Sequence, residues 1–260
     1  MIDKSELILM DQQIKTWLKE DRQLILNELN SQLTVHTKNS RKDLVTNVDK
    51  QSEQFLVNKI RSLGPNNRIL GEEGLGDSVK DTAGRVWIVD PIDGTMNFVK
   101  QHEHFAVMIG LYDDGQPVLG YILDVMKNQL ISGGPQIGIT ENGNPISAPD
   151  NTGLRDGLIG LSGPLLIRND HQMLTIGEEA LGVRIYGSAG IDILAVLTGE
   201  LIGYISYLRP WDFGAGKVLA DTLGLSFTTI DGQPLGMLSS GIVLIATKSA
   251  HKDILTIVSQ

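Results

Sequence analysis

The run Val86-Trp87-Ile88-Val89 is apolar without interruption and stops on Asp90, and Arg68-Ile69-Leu70 runs into Gly71-Glu72-Glu73 in the same way. Apolar runs this short, ended by acids and turn residues, read as strands. Around them the period changes. Leu7, Met10, Ile14, Trp17 and Leu18 recur every three or four residues, and the pattern continues through Leu24, Ile25 and Leu29 until it is lost by Leu33. That is the signature of an amphipathic helix. A chain that alternates these two periods is expected to fold as a mixed sheet covered by helices.

The same reading extends along the chain. Thr34 to Thr37 alternates like a short strand, and Lys38 to Lys42 is polar enough for a loop. A second helix is expected from Asn47–Asp49, either of which could cap it, with Ser52, Leu56, Ile60 and Leu63 on one face. Gly64-Pro65-Asn66-Asn67 ends it. Phe105 to Tyr112, the turn Asp113-Asp114-Gly115 and Val118 to Val125 read as a hairpin. The stretch from Gly133 to Gly143 is turn-rich. A linker is expected near 145–155, dividing an N-terminal α+β part (1–148) from a C-terminal α/β part (149–260). In the second part Leu158 to Leu161, Val183 to Tyr186, Leu201 to Ser206 and Ile242 to Ala246 read as strands. Helices are expected near Asn169 to Leu181, Ser188 to Leu197, Asp212 to Leu223 and His251 to Val258.

Composition narrows the function. With 31 Asp and Glu against 22 Lys and Arg the net charge is −9, so a nucleic acid or an anionic membrane surface is a poor partner. No apolar run is long enough to span a bilayer, and the acidic start does not resemble a signal peptide, so a cytoplasmic location is expected. The absence of cysteine excludes disulfides and thiolate chemistry. Any metal must be held by oxygen or imidazole.

Three places put acids at the ends of strands: Glu72-Glu73, the pair Asp90 and Asp93 in Asp-Pro-Ile-Asp-Gly-Thr, and Asp212 in Trp211-Asp212-Phe213-Gly214-Ala215-Gly216. Ligands of open α/β sheets bind at strand ends. Carboxylates converging there repel unless cations compensate, and hard oxygen ligands suit magnesium, with manganese as a substitute. Pro91 is expected to fix a turn across which Asp90 and Asp93 face one point. Gly94 would then open a short helix whose N–H groups form an anion site beside the acids. Taken singly, each element has a simpler reading. Glu72-Glu73 could be an exposed turn, Asp212 a helix cap, and Asp-x-x-Asp an ordinary surface pair. His102 and His104 read as a solvated loop, and Trp17 and Trp87 as core. Lys38, Arg41, Lys42 and Arg209 are either ordinary polar residues or a positive rim that attracts phosphate.

Taken together, these segments resemble the inositol monophosphatase family of magnesium-dependent, lithium-sensitive phosphatases. Trp87 through Phe98 fits its long first signature and Trp211 through Gly216 its second. Gly71-Glu72-Glu73, Asp43-Leu44-Val45-Thr46-Asn47-Val48-Asp49 and Gly187-Ser188-Ala189 resemble further family elements. The resemblance implies a layered α-β-α-β-α sandwich of the sugar phosphatase type and, usually, a homodimer. It implies two or three Mg2+ ions. One would be held by Glu72, Asp90 and the carbonyl of Ile92, a second by Asp90, Asp93 and Asp212, and a weaker third near Glu72. The N–H groups of Gly94 and Thr95 would bind phosphate. Glu72 and the Thr95–Asp49 pair would orient the attacking water, and Asp93, Ser188 and Ala189 would face the substrate.

Two departures bear on the substrate. Animal members carry a Glu shortly before the second signature, where Tyr204 to Pro210 here has no acid, and Gly190 stands where the family usually has Ala. Losing a hydroxyl-binding acid weakens strict inositol specificity. The leading expectation is hydrolysis of a small polyol or sugar phosphate such as inositol 1-phosphate. The alternatives are removal of the 2′- or 3′-phosphate of NADP or 3′-phosphoadenosine 5′-phosphate, and a non-catalytic interaction protein.

Overall fold

A computed structural model of the chain describes residues 3–29, 34–37 and 44–260. Lys38, Arg41, Lys42 and Asp43 lie outside the described residues. The elements run α1 (Lys4–Leu29), β1 (Val35–Thr37), β2 (Leu44–Thr46), α2 (Asn47–Arg61), β3 (Asn67–Gly71), β4 (Arg85–Asp93) and α3 (Thr95–Gln101). They continue with β5 (Ala106–Asp113), β6 (Gln116–Asp124), β7 (Gln129–Gly134), β8 (Gly138–Glu141), β9 (Asn144–Pro145), β10 (Leu158–Leu161), α4 (Gly163–Arg168) and α5 (Met173–Glu179). The chain ends with β11 (Gly182–Arg184), α6 (Ala189–Thr198), β12 (Gly203–Leu208), α7 (Pro210–Leu223), β13 (Ser226–Thr229), β14 (Gly241–Ala246) and α8 (Lys248–Val258). Among the described residues no helix is long and apolar enough to cross a membrane.

Seven strands form one sheet in the order β3-β4-β5-β6-β7-β8-β9, and five form another in the order β11-β10-β12-β14-β13. Alternation along the central strands sends side chains to both faces of the first sheet. Val107, Ile109 and Leu111 pack with Leu7, Ile14, Leu18, Leu56 and Ile60 of α1 and α2. Ala106, Met108 and Ile122 pack instead with α6, α7 and residues of the second sheet such as Tyr204, Val243 and Ile245. The far face of the second sheet is covered by Leu165, Met173, Ile176, Ala250 and Ile254 of α4, α5 and α8. The five layers are therefore α-β-α-β-α, as the resemblance implied, and the middle helical layer is shared by both sheets. Gly110 and Gly120 face each other across β5 and β6. A Cβ on either would lie 2.9 Å from Gly214 C or 2.5 Å from Ala215 O, so their bareness lets the α7 backbone lie directly on the sheet.

The structure corrects several sequence expectations. The cap of α2 is Thr46, one residue before the proposed Asn47–Asp49, and Asp49 closes the capping box. The turn-rich stretch from Gly133 to Gly143 contains β8 and the end of β7, joined to β9 through Asn142 and Gly143 at positive φ. The helix expected over Asn169 to Leu181 is confined to α5 (Met173–Glu179), because Asn169, His171 and Gln172, between α4 and α5, all take left-handed backbone conformations. β13 had no counterpart in the sequence reading.

Candidate active site

β3 and β4 run parallel, with Gly71 opposite Val89, so both strands deliver their following residues to the same edge. The Glu72 N–H continues the ladder to Val89 O at 3.2 Å and brings Glu72 alongside Asp90. Pro91 does not turn the chain, contrary to expectation. β4 continues through it to Asp93, and the two acids converge through a bulge. Asp90 opposes Met108 and Asp93 opposes Ala106, which gives three steps on β4 against two on β5. In a regular strand residues i and i+3 point to opposite faces, and one extra residue restores the parity. Asp212 arrives from the first turn of α7. One carboxylate oxygen from each of Asp90, Asp93 and Asp212 lies within 4.8 Å of the others.

The acids differ in how they are held. Asp93 is gripped by the start of α6: its carboxylate accepts from the Ser188 hydroxyl, from Ala189 N at 3.2 Å and from Gly190 N at 2.7 Å. Asp212 accepts from Arg209 N at 2.7 Å. Asp49, fully buried in the first turn of α2, accepts from Thr46 N at 2.8 Å and Thr46 Oγ1 at 2.5 Å. Its other oxygen accepts from Thr95 Oγ1 at 3.0 Å, a hydroxyl that also lies 3.1 Å from Ile92 O. Asp90 is buried, yet neither of its carboxylate oxygens has a hydrogen-bond donor.

Burial dominates the acidities here. It pushes Asp90 well above the ordinary carboxylate range, with repulsion from Glu72, Asp93 and Asp212 adding to it. Asp93 is raised to about 6 by burial, against the opposing hydrogen bonds from Ser188, Gly190 and Ala189. Asp212 is raised to about 8, also chiefly by burial. A donorless carboxylate pressed against three others needs a positive charge. Oxygen-only donors of this kind fit a hard divalent cation such as Mg2+. Glu72, Asp90, Asp93 and Asp212, with the Ile92 carbonyl at the bulge, are the groups that would hold it.

Gly94 adopts φ 88° and precedes α3, whose first intrahelical bond is Phe98 N to Gly94 O at 3.0 Å. The N–H groups of Gly94 and Thr95 precede that bond, so the helix itself offers them no acceptor. Of Ser188 and Ala189, expected to face substrate, the structure shows that the Ser188 hydroxyl and Ala189 N donate to Asp93 and that Ser188 is buried. Neither His102 nor His104 belongs to the carboxylate cluster; the His104 ring lies 6.0 Å from that of Tyr186. Trp17 and Trp87 are core. Arg209 sits over the Trp211 ring at 5.7 Å.

Several residues escaped the sequence reading. Asn97, inside the first signature, donates to His104 O at 2.9 Å and Tyr186 O at 2.7 Å, tying α3 to the segment that leads into α6. Asp192 is buried on α6 and raised to about 8, mainly by burial and then by repulsion from Asp93. Glu53 is buried on α2 beneath the loop that carries Glu72. The i, i+4 spacing of Asp49 and Glu53 on one helix was visible and could have flagged Glu53.

Comparison with known proteins gives a consistent picture. A family model described as the inositol monophosphatase family matches residues 6–260. An inositol-1-monophosphatase of Bacillus subtilis (strain 168) is 36% identical over 250 residues, covering 94% of each chain. A crystal structure of an IMPase/NADP phosphatase complexed with NADP and Ca2+ superposes with a TM-score of 0.91 at 30% identity, covering 98% of this chain and 97% of that one. A staphylococcal inositol monophosphatase-1 soaked in LiCl as an inhibitory complex gives a TM-score of 0.90 at 30% identity, with 98% and 96% covered.

Proposed function

Because this chain belongs to the inositol monophosphatase family, and so is a phosphoric monoester hydrolase, we propose that it hydrolyses a small polyol or sugar phosphate with magnesium bound by Glu72, Asp90, Ile92 O, Asp93 and Asp212. The observation that carries the reading is Asp90: a buried carboxylate without a donor, facing other acids at the end of a strand. Magnesium held there would supply Lewis-acid charge that offsets the phosphate's and makes water more acidic.

The chain's own groups do the rest. The Thr95 hydroxyl donates a hydrogen bond to Asp49 Oδ1, which leaves the Thr95 lone pairs to accept a hydrogen bond from the attacking water. Burial raises Asp49 above the usual carboxylate range, so it is a better proton acceptor through that hydroxyl than an exposed Asp. The N–H groups of Gly94 and Thr95 bind the phosphate oxygens. The amides of Ala189 and Gly190 and the Ser188 hydroxyl hold Asp93 in one orientation, so that reorganisation is small when charge develops.

A second substrate reading also has support. The stretch Tyr204 to Pro210 lacks an acid for sugar hydroxyls, and one structurally similar relative is an IMPase/NADP phosphatase solved with NADP. Turnover of inositol 1-phosphate, fructose 1,6-bisphosphate, NADP and 3′-phosphoadenosine 5′-phosphate, with magnesium and then with chelator, distinguishes the two. Failure on every polyol and sugar phosphate sinks the first reading. Asp93→Asn is the control: turnover should fall by orders of magnitude with an unchanged circular dichroism spectrum, and undiminished activity would refute the site.

A further inference from the structure

The loop that carries Glu72 is built of Gly71-Glu72-Glu73-Gly74-Leu75-Gly76, three of whose six residues are glycine, with Gly74 at φ 78°. Such a segment has little intrinsic reason to hold one conformation. Beneath it lies Glu53 of α2, fully buried. Its Oε2 accepts from Glu73 N at 2.6 Å and its Oε1 from Leu75 N at 2.7 Å. The fit extends to Gly71, where a Cβ would stand 2.5 Å from Glu53 Oε1. A carboxylate is thus enclosed on one side by a bare backbone position and on the other by two amides of the same loop. The loop's far end is closed separately, with Asp77 Oδ2 accepting from Ile69 N at 2.9 Å.

We propose that Glu53 is a positioning residue for catalysis: its two hydrogen bonds to the 73–75 backbone hold Glu72 in the orientation in which it ligates metal. Charge-assisted bonds to N–H groups are the strong and directional kind, and two from one carboxylate fix a loop in rotation as well as in height. The placement on α2 matters. Asp49 and Glu53 are one turn apart on the same helical face, so one rigid helix aligns the Thr95 hydroxyl through Asp49 and the Glu72 carboxylate through Glu53. The groups that orient water and metal are thereby held at a constant separation by a covalently continuous element. An apolar residue at position 53 would fill the space and remove the acceptor of both part-buried amide bonds.

This inference rests on the reading of Glu72 as a metal ligand, and the test separates the two. Free Mn2+ is followed by electron paramagnetic resonance while the full-length, metal-free protein is titrated, with wild type, Glu53→Gln, Gly71→Ala and Glu72→Gln in parallel. The Glu53→Gln amide keeps one acceptor and turns a donor toward the other N–H. Its Mn2+ affinity should fall about tenfold, an energy of roughly 1.4 kcal/mol. The magnesium concentration for half-maximal phosphatase activity should rise by a similar factor, while kcat at saturating magnesium recovers to within about threefold. Gly71→Ala, which displaces the Glu53 carboxylate without removing it, should shift affinity in the same direction and serves if the first variant fails to fold. Unchanged Mn2+ affinity in Glu53→Gln or Gly71→Ala, beside a weakened Glu72→Gln, overturns the role of Glu53 alone. Unchanged affinity in Glu72→Gln overturns the ligand reading beneath it.

Discussion

Gly190 is the position at which this chain's own geometry can be tested most sharply. An alanine Cβ there would lie 2.7 Å from the Ala106 Cβ, 3.1 Å from Met108 Sδ and 3.2 Å from Asp93 Oδ2. Carbon atoms pack best at about 3.5–4.0 Å, so the first contact is too close by about 1 Å. Ala106 has no rotamer with which to retreat, and it is buried on β5. The start of α6 must move off the sheet instead, by something near the same distance. The hydrogen bond from Gly190 N to Asp93 Oδ2, now 2.7 Å, would then open to about 3.5 Å and cease to count as one. Overpacking of a tight core costs about 1–3 kcal/mol and a hydrogen bond to a charged group contributes about 1.5–3 kcal/mol. Better helix propensity returns at most ~1 kcal/mol. The net loss is about 1.5–5 kcal/mol, or roughly 3–20 °C in Tm for a chain of this size. Because Asp93 loses an orienting amide, half-saturation by magnesium should also rise, by about tenfold. The decisive assay is a double-mutant cycle. Ala106→Gly removes the clashing carbon, so Ala106→Gly/Gly190→Ala should recover most of both the Tm and the magnesium response. Additive losses in the double variant would refute the steric account.

Two pH predictions follow from the buried acids. Burial and mutual repulsion raise Asp93 to about 6 and Asp212 to about 8, so each contributes stability that is complete below its unfolded value of 3.8 and lost as pH rises through the raised value. With chelator present, Tm should fall between pH 5 and 8. Magnesium, which displaces those protons, should raise Tm more at pH 8 than at pH 5.5; equal shifts by scanning fluorimetry would contradict the assignment. Asp21 lies away from this cluster, between α1 and α2, where burial raises it to about 7 against the opposing hydrogen bond from Ser52. With magnesium saturating, wild-type stability should decline by up to ~1.4 kcal/mol per pH unit as pH approaches 7, and Asp21→Asn should remove that slope. Parallel pH profiles in urea melts would refute it.

What the sequence made legible was chemistry carried by residue order, and what it hid was geometry set by partners remote in the chain. Asp90 and Asp93 were recognisable as a pair. Their convergence is not legible at Pro91, because the bulge that produces it exists only relative to Met108 and Ala106 on β5. The stretch from Gly133 to Gly143 reads as turns because glycine breaks regular structure. Yet a Cβ at Gly134 would collide with the Val118 carbonyl, so that glycine marks a close approach of backbone within a sheet. The motif points to Ser188 and Ala189, but a motif names positions and not the direction a hydroxyl faces: Ser188 Oγ and Ala189 N donate to Asp93. Long periodic segments suffered least: α1 spans the predicted repeat because Leu7, Ile14, Leu18 and Ile25 form its buried stripe.

The placement of the acids follows one physical rule. Asp49 sits in the first turn of α2, Asp212 in the first turn of α7, and Asp93 against the first amides of α6. A helix N-terminus presents unpaired N–H groups and the positive end of its dipole, so each of these carboxylates can be charged and oriented with help from the protein. Asp90 lies in a strand, whose amides are used by the ladder, and it alone of these four has both oxygens buried without a donor. Three acids are therefore fixed in place by backbone, and the fourth is left with nothing but other carboxylates. A site in which every acid was capped would bind cations weakly, since the protein would already have neutralised it. A site in which none was capped would repel itself apart. The mixture keeps the cluster ordered while reserving its strongest unmet demand for positive charge at Asp90, which Glu72, Asp93 and Asp212 all repel.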